Sequence, residues 1–263
     1  MKATVFAPPQ ADRLTTLLRQ FQLTTLATEL IPRFEQAGHQ DILPLVLEVC
    51  ELEAQARAER RIARLRVAAK LPPGKTFATF EERHLPRLLV RQLRELATGR
   101  FLDGAVNVLA FGLPGVGKSH AACALGHALV EAGHSVRFTP TYQLIQELLA
   151  AKRDLELPRL LHKLDAFELL ILDDLGYVGQ TAEEAEVLFT LLAERYERRS
   201  VLITSNLVFS EWERIFKNPM ATAAAIDRLV HHAVILELAV PSYRTEDAKK
   251  RTAATKAAAA EPL

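Results

Sequence analysis

The sequence predicts an α/β fold, a parallel sheet with helices on both faces, preceded by a small all-α domain. Three observations predict it. From residue 105 short apolar runs alternate with longer amphipathic stretches. A glycine-rich segment joins the first of those runs to a helix-forming stretch. Residues 11–70 repeat their apolar positions at three-four spacing. Strand-helix alternation argues for parallel strands covered by helices, and three-four spacing for buried helix faces.

The elements follow in order. Leu14, Leu17, Leu18 and Phe21 mark a first helix. A second runs from about Thr24 to Ala37 and is closed by Gly38. Asp41 is a plausible N-cap for a third, which carries Leu43, Leu47, Cys50 and Leu52 and continues through an Arg-rich stretch to Lys70. Leu71-Pro72-Pro73-Gly74 breaks it. A linker is expected over 71–80, with Phe77 and Phe80 as anchors. A helix with Leu89, Leu93 and Leu96 on one face ends near Gly99. Strands are expected at Asn107–Phe111, Ser135–Phe138, Leu169–Leu172, Val201–Ser205 and Val234–Leu238. Helices are expected at Lys118–Ala132, Tyr142–Lys152 and Ala182–Arg198. The tail from about Asp247 is rich in Ala, Lys and Thr and has little to bury. These elements imply domains at 1–70 (helical), 81–246 (α/β) and a disordered tail at 247–263.

Composition narrows the classes. With 263 residues and 49% apolar content the chain can bury a sizeable core. Two cysteines, Cys50 and Cys123, make neither a disulfide scaffold nor a metal-ligand pattern, so a reducing cytoplasm fits best. No apolar run approaches the roughly 20 residues that cross a bilayer, and the N-terminus lacks the pattern of an export signal. The net charge of +1 hides an asymmetry. Residues 1–100 carry 16 Lys+Arg against 11 Asp+Glu, and the remainder 17 against 21. The basic half is the better candidate for a polyanion, although Arg-rich helix surfaces also arise without one.

Gly112-Leu113-Pro114-Gly115-Val116-Gly117-Lys118-Ser119 matches the phosphate-binding pattern G-x-x-x-x-G-K-[ST] in full, between an apolar strand and a helix. Gly112, Gly115 and Gly117 let the backbone N–H groups curl into an anion nest. The helix starting at Lys118 adds its positive end. Lys118 is expected on the β- and γ-phosphates, and the Ser119 hydroxyl on Mg²⁺. Downstream, Leu169–Leu172 is fully apolar and ends in Asp173 and Asp174. Asp173 suits a magnesium-contacting carboxylate, and Asp174 a base for the attacking water. The next strand ends in Thr204, Ser205 and Asn206. Strand C-termini line the ligand crevice of a parallel sheet, so Asn206 could bond the γ-phosphate or the lytic water.

Together these features resemble the AAA+ ATPases, and within them the IstB-like transposition helpers and DnaC-like helicase loaders. NVLAFGLPGVGKSHAACALGHAL is similar to their Walker A region, LLILDDLG to Walker B, and RYERRSVLITSN to the approach to sensor 1. AAAIDRLVHHAVILEL resembles the segment bearing the arginine finger. The Arg-rich helix and residues 71–80 are similar to the IstB N-terminal portion. Three departures stand out: Ser119 where Thr is commoner, Asp174 where many AAA+ proteins have Glu, and Pro241 in place of Gly before Ser242-Tyr243-Arg244. The resemblance implies ATP and Mg²⁺ as cofactors, with the nucleotide on Gly112–Ser119 and His120. It makes Asn206 the sensor and Arg228 a finger completing a neighbour's site. It also implies a missing C-terminal lid. Duplex DNA, a transposase and a homo-oligomer formed with ATP and DNA are the implied partners. Arg57, Arg60, Arg61, Arg64, Arg66 and Lys70 are the candidate DNA contacts, with sequence-tolerant phosphate binding expected. A protein-docking platform is the alternative use of that helix. The pair His231-His232 reads as a helix-end surface feature without metal-ligand company. The function expected is an ATP-dependent transposition helper. A DnaC-like helicase loader and a nucleotide-gated scaffold with little turnover are the rivals.

Overall fold

The computed structural model describes residues 8–82, 85–176, 181–239 and Ser242. The chain divides into two compact units, Met1–Arg64 and Leu65–Leu263.

The first unit is helical. It comprises α1 (Pro8–Gln20), α2 (Thr24–Gln36), a 3₁₀ turn at Gln40–Ile42 and the greater part of α3 (Leu43–Ala69). Leu14, Leu17, Leu18, Leu43 and Leu47 form its core, with Phe21, Leu30, Ile31 and Phe34 packed around them. Asp41 does not cap α3. It lies inside the 3₁₀ turn, and α3 begins at Leu43, where Pro44 occupies the first turn that tolerates a residue without an N–H.

The second unit carries five parallel strands: β1 (Asn107–Phe111), β2 (Val136–Pro140), β3 (Leu169–Leu175), β4 (Ser200–Ser205) and β5 (Ala233–Glu237). Their order is β2-β3-β4-β1-β5. The three central strands carry unbroken apolar runs, Val108–Phe111, Leu169–Leu172 and Val201–Ile203, because both faces are covered there. On one face α4 (Arg87–Leu96) and α5 (Lys118–Glu131) pack with Val108, Ala110, Leu169 and Ile171. On the other, Leu109, Phe111, Leu170 and Leu172 meet α6 (Thr141–Arg153), α7 (Leu157–Asp165), α8 (Ala182–Arg195), α9 (Glu213–Phe216) and α10 (Pro219–Val230). The alternation along each strand thus sorts side chains to two separate cores. Thr181 starts α8 with a capping box closed by Glu184.

The sequence reading assigns no element to α7 or α9 and no bounds to α10. The first two are short, and the Ala-rich start of α10 offers little contrast between faces. Residues 71–80, read as a linker, are packed into the second unit. Phe80 is buried, Leu71 and Phe77 lie against the α5 core, and His127 of α5 bonds the carbonyl of Pro72 at 3.1 Å. Gly126 makes room for this strap, since a Cβ there would stand 2.8 Å from the Leu71 side chain and 2.9 Å from Ile171. The expectations for Pro241, Arg244, the missing lid and the tail at 247–263 fall outside the described residues.

Polar side chains close the N-terminal end of the sheet. Arg195, only 2% exposed, donates to the carbonyls of Leu164, Phe167 and Ser200 at 2.9–3.0 Å. Burial pulls its pKa down to about 10, against the opposing charge of Asp165. Asn107 bridges two elements, donating to Leu229 O at 3.1 Å and accepting from Val201 N at 3.0 Å. Glu168 accepts from Ser135 N at 2.7 Å, from Ser135 Oγ at 3.0 Å and pairs with His134 Nδ1 at 2.9 Å. Partial burial pushes the Glu168 pKa up, but the His134 and Ser135 hydrogen bonds outweigh it and leave the group below its ordinary value. Among the described residues no helix is long and apolar enough to cross a membrane.

Candidate functional site

The loop after β1 turns on three glycines with positive φ: Gly112 at 155°, Gly115 at 85° and Gly117 at 97°. L-residues with a side chain rarely adopt these values. A Cβ on Gly112 would also stand 2.6 Å from the backbone oxygen of Leu238, just beyond β5. Val116 is buried and anchors the loop, while Leu113 and Pro114 stand exposed at its tip. Gly117 precedes α5, whose first backbone bond runs from Ala121 N to Gly117 O. The N–H groups of the first turn therefore lack helical partners and face the loop's concave side. Lys118, 6% exposed, arches back so that its ammonium donates to Gly112 O at 2.8 Å and Leu113 O at 3.0 Å. Loop, helix end and ammonium together form a site for a polyanion.

Asp173 reaches the same end of the sheet. Pairing sets Pro140 beside Asp173 and Leu172 beside Ile203, while Ala110 pairs Thr204. Asp173 and the start of the loop are thus level, separated by β4 and about 10 Å apart at two strand spacings. Asp173 is buried, and its Oδ1 accepts from the Thr204 hydroxyl at 2.6 Å. Its backbone oxygen accepts from Thr141 Oγ1 at 2.9 Å. A register shift follows, between Leu172 and Leu175. There Asp174 takes a left-handed φ of 59°, and its side chain is exposed while its N–H bonds Thr204 Oγ1 at 2.9 Å. The bulge is what lets two consecutive residues of one strand present both carboxylates at this end. Serine 119 lies half-buried in the first turn of α5.

Cys123, one turn further along α5, reports the local field. Its thiol is pushed up to about 12, first by burial, with Lys75 lowering it and Asp173 raising it. Asp173 and Lys75 are both near enough to α5 to act on the same sulfur. Asn206 is exposed at the end of β4. With Gly112, Leu113, Val208, Phe209 and Ile235 it lines a cavity of about 930 Å³ beside the loop.

Two expected site residues turn their side chains to other partners. His120 follows Ser119, but its ring bonds Thr79 Oγ1 at 3.1 Å and Thr76 O at 3.2 Å and packs on Phe80 at 5.1 Å. It holds the 71–80 strap against α5. Arg228 sits at the far end of the sheet. The carbonyl of its neighbour Leu229 bonds Asn107 at the start of β1, five residues before the loop. At ~3.3 Å per residue that is about 13 Å from the strand end. Arg228 lies over the Phe189 ring at 5.2 Å and donates to Ala224 O at 3.1 Å.

On α3, Arg57, Arg60, Arg61 and Arg64 share one face by the helical repeat and are exposed. Arg57 and Arg60 both engage Glu53, and Arg57 lies over Phe21 at 4.3 Å. In the second unit Arg66 pairs with Glu131, and exposed Lys70 ends the helix at a left-handed φ of 51°.

Sequence reasoning passed over Thr204, Thr141 and Lys75. Thr204 fixes both Asp173 and Asp174. Its signal is a hydroxyl at the polar end of a strand next to the one that carries the carboxylates.

A family model described as IstB-like ATP binding protein matches residues 16–252. A relative from Sinorhizobium fredii (strain NBRC 101917 / NGR234), named for an insertion sequence and for ATP binding, is 45% identical over 240 residues, 90% of this chain and 80% of its own. A Pseudomonas aeruginosa protein named for insertion sequence IS21 and ATP binding is 35% identical over 245 residues, 92% of each chain. Among solved structures, the DnaC helicase loader superposes with a TM-score of 0.53 at 18% identity, covering 63% of this chain and 97% of that one. AMPPCP-bound DnaA from Aquifex aeolicus gives a TM-score of 0.55 at 16% identity, covering 69% and 56%. At these identities the structural likeness is one of fold, the AAA+ core.

Proposed function

This chain belongs to the IstB-like ATP-binding protein family, and from that membership we propose that it is an ATP-dependent, DNA-binding helper of transposition. It assembles on duplex DNA with ATP, presents that DNA to a transposase and hydrolyses ATP to remodel the assembly. One observation carries this reading: the loop Gly112–Ser119 and Asp173 share one end of the sheet, whereas Arg228 lies at the other. The insertion-sequence names of the relatives support the transposition context.

The backbone N–H groups of the loop receive the triphosphate, and Lys118 exchanges the carbonyls of Gly112 and Leu113 for phosphate oxygens. The Ser119 hydroxyl and the Asp173 carboxylate are hard oxygen donors of the kind Mg²⁺ takes. Asp173 is buried and oriented by Thr204, which fits that use. The ion would supply neutralising charge on the phosphates. Asp174 is exposed beside Asp173 and polarises the attacking water; Asn206 bonds the γ-phosphate or that water. Arg228 cannot reach the loop of its own chain, so it serves a neighbour, and ATP becomes the link between subunits. Arg57, Arg60, Arg61 and Arg64, joined by Arg66 and Lys70, neutralise DNA phosphates. Six such contacts give a log-log salt slope of about −5.

Light scattering on the full chain with duplex DNA and ATP, ADP or no nucleotide tests the reading. Growth only with ATP is expected. Arg228→Ala abolishes turnover while the isolated subunit still binds ATP, and reversing charge at Arg60, Arg61 and Arg64 weakens DNA binding. Nucleotide-independent size and unchanged turnover in Arg228→Ala would overturn it. Recovery of a replicative helicase instead of a transposase from cell extract would reassign the partner.

A further inference from the structure

The end of α10 and the turn after α8 bring together three side chains that the nucleotide site does not use. His231 ends α10 and His232 follows it. Glu197, distant in sequence, occupies a left-handed turn with φ 56° between α8 and β4. One ligating atom from each lies within 4.8 Å of the other two, and all three residues are exposed. His231 Nδ1 stands 3.7 Å from Glu197 Oε1. The two imidazole rings lie with centroids 4.1 Å apart and their planes tilted by 40°.

We propose that Glu197, His231 and His232 form a divalent transition-metal site, with zinc as the ion their chemistry favours. Two imidazole nitrogens and one carboxylate oxygen are a three-ligand set that Zn²⁺ accepts, with water in the fourth position. Tetrahedral bonds of about 2.1 Å place neighbouring donors about 3.4 Å apart. The 3.7 Å between His231 and Glu197 is already within a few tenths of that. The remaining approach is made by rotating side chains that are all exposed. The Tyr196 hydroxyl, 2.9 Å from His231 Nδ1, holds the ring in place and gives up that nitrogen when the ion arrives. Sequence alone gives the histidine pair no ligand company because Glu197 joins it only through the packing of α8 beside α10.

The site ties the ends of two helices that also hold Arg228, which lies over Phe189 of α8 one turn before His231. A bound ion therefore restrains the mount of Arg228. That consequence rests on the role proposed above for Arg228, whereas ion binding itself does not.

The test uses the full chain, stripped by chelator and free of nucleotide. ZnCl₂ is titrated by calorimetry, and CoCl₂ by visible absorption. About one Zn²⁺ per chain is expected, with a tetrahedral Co²⁺ band. Each of Glu197→Gln, His231→Ala and His232→Ala weakens binding about tenfold or more and removes the band. Matching melting curves of the metal-free variants show that the fold is kept. Binding unchanged in the variants, or no saturable binding in the parent chain, overturns the site. Because no nucleotide is present, this failure is separate from any failure of the ATP-dependent assembly.

Discussion

At one end of the sheet Lys118 bonds two loop carbonyls and Asp174 stands exposed in a left-handed turn; at the other, Arg195 is buried among three carbonyls and Glu168 is bonded on both oxygens. Both ends carry cations and carboxylates at strand termini. They differ in what holds those groups. The partners of Lys118 belong to a glycine loop that a ligand's oxygens can replace. The partners of Arg195 are the carbonyls of Leu164 in α7, of Phe167 just before β3 and of Ser200 at the start of β4, and replacing them would loosen the joint between that helix and the sheet. Positive φ occurs at both ends, at Ala105, Gly133 and Glu197 in the turns that lead into β1, β2 and β4, but at the first end it falls on Gly112, Gly115, Gly117 and Asp174, where it aims N–H groups and a carboxylate outward. Charge at a strand end is thus not the mark of a functional site; exchangeable partners are.

Substitutions at three positions can break or sharpen this contrast. Lys118→Ala has the largest effect: hydrolysis falls about 100-fold or more, while the melting midpoint moves by only a few degrees. A steady-state ATPase assay beside a thermal melt checks both, and a large loss of stability with turnover retained would put Lys118 in the structural class. Arg195→Ala reverses the pattern. It strands three buried carbonyls and costs about 3–5 kcal/mol by urea denaturation, while the folded fraction still binds nucleotide. Arg195→Lys recovers part of that loss. Glu168→Gln is the mildest, about 1 kcal/mol at neutral pH. The folded pKa of Glu168 is depressed, so its contribution is present above the ordinary carboxylate value of 4.5 and fades as pH falls through the lower folded value. Denaturation of parent and variant at neutral pH and below 4.5 should show the gap closing; a gap that widens in acid would contradict it.

Much of this contrast can be read in the sequence. The three glycines with Lys118 and Ser119, and the apolar run closed by two aspartates, announce the ligand end because phosphate binding demands those residue types at those spacings. All five strands are legible too: burial on both faces keeps the middles of β1, β3 and β4 apolar, and β2 and β5 show as shorter apolar-rich runs. The N-terminal end is silent. Nothing in the letters of Arg195, Asn107 or Glu168 says that their partners are backbone groups far along the chain. The same holds for Thr204, whose hydroxyl is meaningful only once β4 lies beside β3. His120 is legible only in part: adjacency to Ser119 suggests a nucleotide contact, and the helical turn directs its ring to Thr76, Thr79 and Phe80.

That contact has a practical consequence for dissecting the protein. A fragment begun at residue 81 would discard Leu71, Phe77 and Phe80, and with them the cover over Gly126 and the partners of His120 and His127. Its exposed apolar patch would favour aggregation and loosen the helix that bears Lys118. A fragment begun near residue 65 keeps Leu65, Ala69 and the whole strap, and is the piece in which nucleotide binding and the proposed hydrolysis can be measured on the second unit.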